Sequence, residues 1–162
     1  MESEHRYAVR ATSTFPRSGV IRARGVGHAI AFSAPPEFNG QAGLWTPEHF
    51  LVAALASCYV STLSSISQIS KFEFNSLDLE TEGILGHENG TLRFQGIHLR
   101  PHVKIAREED RERALRLLQK AEKSCLIARS LSCPVTVEPE IQVEMPFVDE
   151  DSSVDRVATV TR

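Results

Sequence analysis

The order of segments along this chain predicts an α+β fold, with mostly antiparallel sheet, a long central helix and a second, amphipathic helix. Three observations carry that reading. Strand-like runs occur in groups and do not alternate strictly with helices. The stretch from Thr46 to about Lys71 is apolar or small at helical spacing. Asn89-Gly90 separates two strand-like segments, and that dipeptide tolerates the positive φ angles a tight hairpin turn requires.

Residues 6–15 partly alternate apolar and polar side chains, as a half-buried strand does. Pro16-Arg17-Ser18-Gly19 is a turn signal, and residues 20–24 and 28–33 read as a second and a third strand. Gly25-Val26-Gly27 between them lacks the third glycine and the following helix of a dinucleotide fingerprint. Residues 35–45 hold two prolines and two glycines and read as a loop. Thr46 then caps a helix and Pro47 takes its first position. Leu51, Leu55, Cys58, Thr62, Ile66 and Ile69 form the expected buried stripe, and Ala53, Ala54, Ala56 and Ser57 allow close approach of another backbone. Residues 72–86 and 91–105 form the hairpin. Glu108, Glu109 and Asp110 start the next helix and Lys120 and Lys123 lie near its end, matching the dipole. Ala114, Leu118, Ala121 and Cys125 fall on its inner stripe. A break near Ser124 leaves a short helical piece at 126–131, and residues 135–144 make a last strand. Residues 1–145 are thus expected to form one domain, and residues 146–162, polar and rich in Ser, Thr and Asp, a frayed tail.

Composition narrows the function. The chain of 162 residues has 18 basic and 21 acidic side chains, a net charge of −3, so no basic field invites nucleic acid or anionic lipid. Its charged start lacks an apolar signal region, and the weakly polar run at 51–63 is too short to span a bilayer, so a reducing cytoplasm is the expected location and no membrane partner is expected. Asn89-Gly90-Thr91 reads as a turn ahead of a glycosylation acceptor. The three cysteines, Cys58, Cys125 and Cys133, are too few and odd in number for a secreted disulfide framework. The cysteine spacing fits no common zinc pattern, and the six histidines form no metal-binding motif, so no metal is expected.

Read on its own residues, each cysteine is first a small buried hydrophobe. Cys58 sits on the apolar stripe, Cys125 has Lys120, Lys123 and Arg129 nearby to favour a thiolate, and Cys133 precedes Pro134 and packs. Trp45, Phe50 and Phe38 are candidates to line an apolar pocket. His49 either orients Glu48 or is a solvated residue of the first helical turn, and Tyr59 flanks the same segment. The six basic and five acidic residues of 107–124 read as a solvated helix face.

The segment Thr46-Pro47-Glu48-His49-Phe50-Leu51-Val52-Ala53-Ala54-Leu55-Ala56-Ser57-Cys58 resembles the signature of the OsmC/Ohr family: a Pro-Glu pair, a Leu- and Ala-rich helix, and cysteine ten residues after the glutamate. Lys120-Ala121-Glu122-Lys123-Ser124-Cys125-Leu126-Ile127 is similar to the family's second cysteine motif. The likeness covers roughly residues 6–144. It implies an OsmC-like fold in an intertwined homodimer, and a thiol peroxidase acting on organic hydroperoxides and in some members on hydrogen peroxide. In that family Cys58 would be the peroxidatic thiolate and Cys125 the resolving thiol, with the resulting disulfide reduced by an external dithiol of lipoyl type. An arginine held by Glu48 would assist the thiolate and the leaving oxygen. In one branch that arginine lies in the first strand–strand turn, where Arg17 stands. In the other it precedes the Gly-rich loop, where this chain departs from the pattern with Pro35, Pro36 and Glu37. Arg22 and Arg24 are further candidates.

Helical geometry constrains this assignment independently. Ten residues rise about 15 Å and turn through about 280°. Glu48 and Cys58 on one straight helix therefore cannot join in one hydrogen-bonded cluster. Sharing a site takes a bend or two subunits; the resemblance implies sites at the subunit interface, so a homodimer with Glu48 of one chain near Cys58 of the other is expected. Two readings compete with the peroxidase: a module of the same fold that binds an apolar molecule at the subunit interface, and a structural dimer with buried thiols. The peroxidase requires the two sulfurs within reach of a disulfide and a cation at Cys58; the binding module requires a sizeable apolar pocket and no cation there; the structural dimer requires neither.

Overall fold

In the computed structural model, residues 4–14 and 16–144 are described. The expected tail at 146–162 lies outside them. Strands β1 (Val9–Ser13), β2 (Ser18–Ala23) and β3 (Ile30–Ser33) form a three-stranded antiparallel sheet in that order. The β1–β2 turn passes through Arg17 in the left-handed region, at φ 59°. A 3₁₀ turn, Pro36–Phe38, follows within the Pro/Gly-rich loop. Helix α1 (Pro47–Ser70) then runs without interruption for 24 residues.

The start of α1 is closed as a capping box. Thr46 Oγ1 accepts from the His49 backbone N–H at 3.3 Å, and His49 Nδ1 accepts from the Thr46 N–H at 3.2 Å. His49 is therefore a capping residue as well as an exposed one.

The second sheet is mixed. Strands β4 (Ser76–Glu88) and β5 (Thr91–Ile105) pair antiparallel around the predicted turn, with Asn89 at φ 51° and Gly90 at φ 77°. The register slips between Ile84 and Leu85, leaving Gln95 as a bulge. The expected last strand at 135–144 is two pieces, β6 (Val135–Val137) and β7 (Glu140–Val143), separated at Pro139, which has no N–H to offer a ladder. Both run parallel to β5. The reason is the crossover: α2 (Arg111–Ser124) and α3 (Leu126–Ser130) carry the chain back before it rejoins the sheet, and a helical crossover returns a strand parallel to the one it left.

The core lies between this sheet and the helices. Ile97, Leu99, Val103 and Ile105 of β5 point inward at a two-residue period, against Ala114, Leu118, Ala121 and Cys125, all buried as predicted. Helix α1 contributes Leu55, Tyr59, Leu63 and Ile66. This corrects the expected stripe. Ile69 is 83% exposed, Tyr59 is in the core, and Cys58 with Thr62 lies at the stripe's margin. The Tyr59 hydroxyl decides the rotation, donating to the Leu118 carbonyl of α2 at 3.0 Å. Burial, with Glu122 and Cys125 nearby, pushes its pKa far above the ordinary phenol value.

Helix α1 is long and apolar enough to cross a bilayer by length and composition, and only 22% of its most apolar stretch is buried within this chain. The run considered from sequence alone, 51–63, was shorter than the helix that forms. Tyr59→Phe should lower the urea midpoint by the equivalent of about 1 kcal/mol with an unchanged slope, because it removes one buried hydrogen bond and little else. Equilibrium denaturation followed by circular dichroism reads this directly.

Candidate active site

The structure brings two of the four predicted site residues together. Cys58 stands on α1, half-buried, and Cys125 is fully buried in the extended link between α2 and α3. Both are free thiols, and they lie close enough for each to influence the acidity of the other.

Their environments push the two apart. At Cys58, burial disfavours the thiolate but is outweighed by hydrogen bonds from the Cys125 thiol, the Ile127 N–H, Thr62 and the Leu126 N–H, so its pKa is held below the ordinary thiol value. Thr62 Oγ1 lies 4.0 Å from Cys58 Sγ, one helical turn on. The Leu126 and Ile127 amides are free for this because they open α3, where the first N–H groups have no carbonyl partner within the helix. At Cys125, burial, the hydrogen bond with Cys58 and the charge of an ionised Cys58 hold the pKa above the ordinary value.

That pattern corrects one expectation. The cations Lys120, Lys123 and Arg129 do not make Cys125 the thiolate. The thiol nearer solvent, Cys58, is the more acidic, and hydrogen bonds produce the effect. No sequence motif marks Leu126 and Ile127 as donors. The signal available was the helix break after Ser124, which frees amides at that point.

Glu48 and Arg17 lie away from this pair. Glu48 sits in the first turn of α1, and its buried Oε2 has no hydrogen-bond partner among the described residues. Arg17 is exposed and donates from Nη1 to the Phe38 carbonyl at 2.9 Å. Among the described residues no ion pair joins Arg17 to Glu48. Arg22 and Arg24 are exposed. Within one chain the helix is continuous between Glu48 and Cys58, so the bend that would unite them is absent.

Glu48 faces a cleft of about 550 Å³ walled by Phe38, Val52, Leu85 and Phe94. Of the three aromatics expected to line a pocket, Phe38 does so here. Trp45 borders a smaller neighbouring hollow of about 270 Å³. Phe50 packs between Trp45, stacked at 5.7 Å, and Phe32, edge-on at 6.4 Å. Cys133 is half-buried against the core, as expected of a packing residue. No group of three or more His, Cys, Asp or Glu side chains suited to a metal ion occurs among the described residues.

A paired-thiol site under a long helix, on an α+β frame of this topology, describes a known class. The OsmC-like protein family model matches residues 40–140, and the chain belongs to that family. It is 29% identical over 146 residues to the uncharacterized protein YmaD of Bacillus subtilis, spanning 88% of this chain and 97% of that one. Its fold is similar to an OsmC-like protein of unknown function from Vibrio cholerae, with TM-score 0.76 and 22% identity over 85% of this chain and all of that one. The organic hydroperoxide resistance protein OsmC of Legionella pneumophila superposes with TM-score 0.70 and 19% identity, covering 88% of this chain and 100% of that one. OhrB, the organic hydroperoxide resistance protein of Bacillus subtilis, gives TM-score 0.64 and 20% identity, covering 85% and 98%. The α+β, OsmC-like fold expected from the sequence is the one observed.

Because Cys58 is the acidified thiol, its alkylation by iodoacetamide should reach half its limiting rate at a pH below that of ordinary cysteine, about 8.5. Thr62→Val should move that midpoint upward by removing one donor to the thiolate. Mass spectrometry of peptides containing Cys58, Cys125 and Cys133 separates the three rates.

Proposed function

We propose that this protein is a cysteine-based peroxidase that reduces organic hydroperoxides, working as a homodimer in a reducing, cytoplasmic compartment. The observation that carries the reading is the contact between an acidified Cys58 and a neutral, buried Cys125. A core position for both thiols would not require that asymmetry.

The chemistry follows from it. The Cys58 thiolate attacks the terminal oxygen of R–O–OH. The O–O bond breaks, Cys58 becomes a sulfenic acid, and the alkoxide leaves and takes a proton to become R–OH. The Cys125 thiol then attacks the Cys58 sulfur, forming the disulfide and releasing water. An external dithiol, such as a lipoyl group, regenerates both thiols by exchange and is itself oxidised to a disulfide. A thiolate must meet peroxide before it meets a general oxidant, and Cys58 at the margin of the core is reachable whereas Cys125 is not.

The homodimer is supported by what one chain leaves uncovered. Beyond the largely uncovered face of α1, Tyr7 is 93% and Leu126 67% exposed. Ser57, Ser61 and Ser65 each hydrogen-bond to carbonyls of their own helix, at Ala54, Ser57 and Ser61, so their hydroxyls need no water and another helix can approach closely. In this reading the Glu48 cleft of one subunit serves Cys58 of the other, and Arg17 turns from Phe38 into the mouth of that cleft.

Two measurements test the proposal. Stoichiometric cumene hydroperoxide should give a Cys58–Cys125 disulfide in the wild type and over-oxidised Cys58 in Cys125→Ser, while Cys58→Ser should lose all measurable turnover. Inert thiols under these conditions reject a peroxidase and leave the binding module. Separately, Glu48→Gln and Cys58→Ser co-expressed in equal amounts should recover about a quarter of wild-type turnover, since half of randomly assembled dimers are mixed and each holds one intact site. A mixture no more active than its parents, or a monomer in sedimentation with full activity, excludes a shared site.

A further inference from the structure

We infer that the cleft at the start of α1 selects uncharged hydroperoxides and turns away those bearing a carboxylate on the R group it encloses. This rests on the peroxidase reading and names the substrate class of the same site.

The cleft is built rather than incidental. Its floor depends on Gly83: a Cβ there would sit 2.6 Å from the Phe94 ring and 2.8 Å from Val52 Cγ2. Glycine lets those side chains close together behind β4. Against this apolar surface two polar atoms stand unsatisfied. Among the described residues Glu48 Oε2 and Thr81 Oγ1, both buried, have no hydrogen-bond partner, and both residues line the cleft. Buried polar atoms ordinarily find partners, so two orphans in one cleft describe the ligand that would satisfy them.

A carboxylate only accepts, whereas a threonine hydroxyl can also donate. An uncharged R–O–OH group matches both at once. Its O–H donates to Glu48 Oε2, and Thr81 donates to a peroxide oxygen. The apolar walls take the R group.

Charge then sets what R can carry. Glu37 joins Glu48 on the lining, and no lysine or arginine stands among the described lining residues. Arg17 is turned onto the Phe38 carbonyl. Even swung into the cleft it would offset one carboxylate of the two. An anionic ligand therefore brings a further negative charge into a partly desolvated site that already holds an excess of it. A neutral ligand of the same shape meets no such repulsion.

The probes are cumene hydroperoxide, its para-carboxylate and the methyl ester of that acid, which differ in charge at one place. The ester should be turned over at a kcat/KM about tenfold or more above the acid, and Glu37→Gln should narrow that ratio. Thr81→Val should raise KM for cumene hydroperoxide and Thr81→Ser should restore it. Binding is read apart from turnover by titrating Cys58→Ser with the unreactive cumyl alcohol and its para-carboxylate, following the fluorescence of Trp45, the sole tryptophan, beside the cleft. The alcohol should bind more tightly than its carboxylate. Equal binding, or equal turnover of ester and acid, overturns the selection. Selective binding without turnover of cumene hydroperoxide sustains the selection and instead removes the peroxidase reading.

Discussion

Helix α1 imposes the constraint on which the rest of the molecule turns. A continuous helix of 24 residues that is apolar or small on most sides must be covered on most sides, and the mixed sheet with α2 and α3 covers one. Tyr59 fixes which one by hydrogen-bonding across to α2. That choice of face places Cys58 at the edge of the buried stripe, close enough to meet Cys125 and open enough to meet a reactant. A rotation of one residue either way would sink the thiol into the core or carry it away from α3.

The acidity of Cys58 follows from backbone geometry more than from charge. Cys125 occupies an extended position where α2 ends, and α3 begins immediately after it. The same break that frees the Cys125 thiol to face α1 therefore also frees the amides that favour a thiolate opposite. Hydrogen bonds of this kind weaken less with added salt than surface cations do, because they act at contact inside a partly desolvated site. A pair assembled this way has its two acidities pushed in opposite directions, Cys58 down and Cys125 up.

Much of this was legible in the residues. Capping by Thr46 and Pro47, the Asn89-Gly90 hairpin and the stripe ending at Cys125 each follow from local chemistry, and each forms as read. What escaped the sequence depends on contacts between elements. The buried face of α1 is ambiguous in a helix that is apolar nearly all round, so periodicity could not separate Tyr59 from Cys58. The parallel course of β6 and β7 is set by a crossover over the helices, which alternation of side chains does not record. The two cysteines were legible as a pair only through family resemblance, and nothing local to Cys58 announces Leu126 and Ile127 as its donors. Arg17 shows the converse: its place in the first turn was legible, while its hydrogen bond to Phe38 depends on a loop that composition identifies only as irregular.

The unsatisfied groups of the single chain tell a consistent story about what completes it. Three buried side-chain atoms lack partners among the described residues: Glu48 Oε2, Ser67 Oγ and Thr81 Oγ1. Two lie on α1, in its first and last turns, and the third lines the cleft that Glu48 faces. The uncovered apolar surface lies along the same helix between them. Unmet hydrogen bonds and unmet hydrophobic burial thus fall on one element, and a free chain would bear both costs at once. Binding a small molecule could satisfy Glu48 and Thr81 but could not cover the length of α1, and a partner helix could cover α1 but need not fill the cleft. A subunit interface with a substrate cleft inside it satisfies both, and it does so without bending the helix that keeps Glu48 and Cys58 of one chain apart.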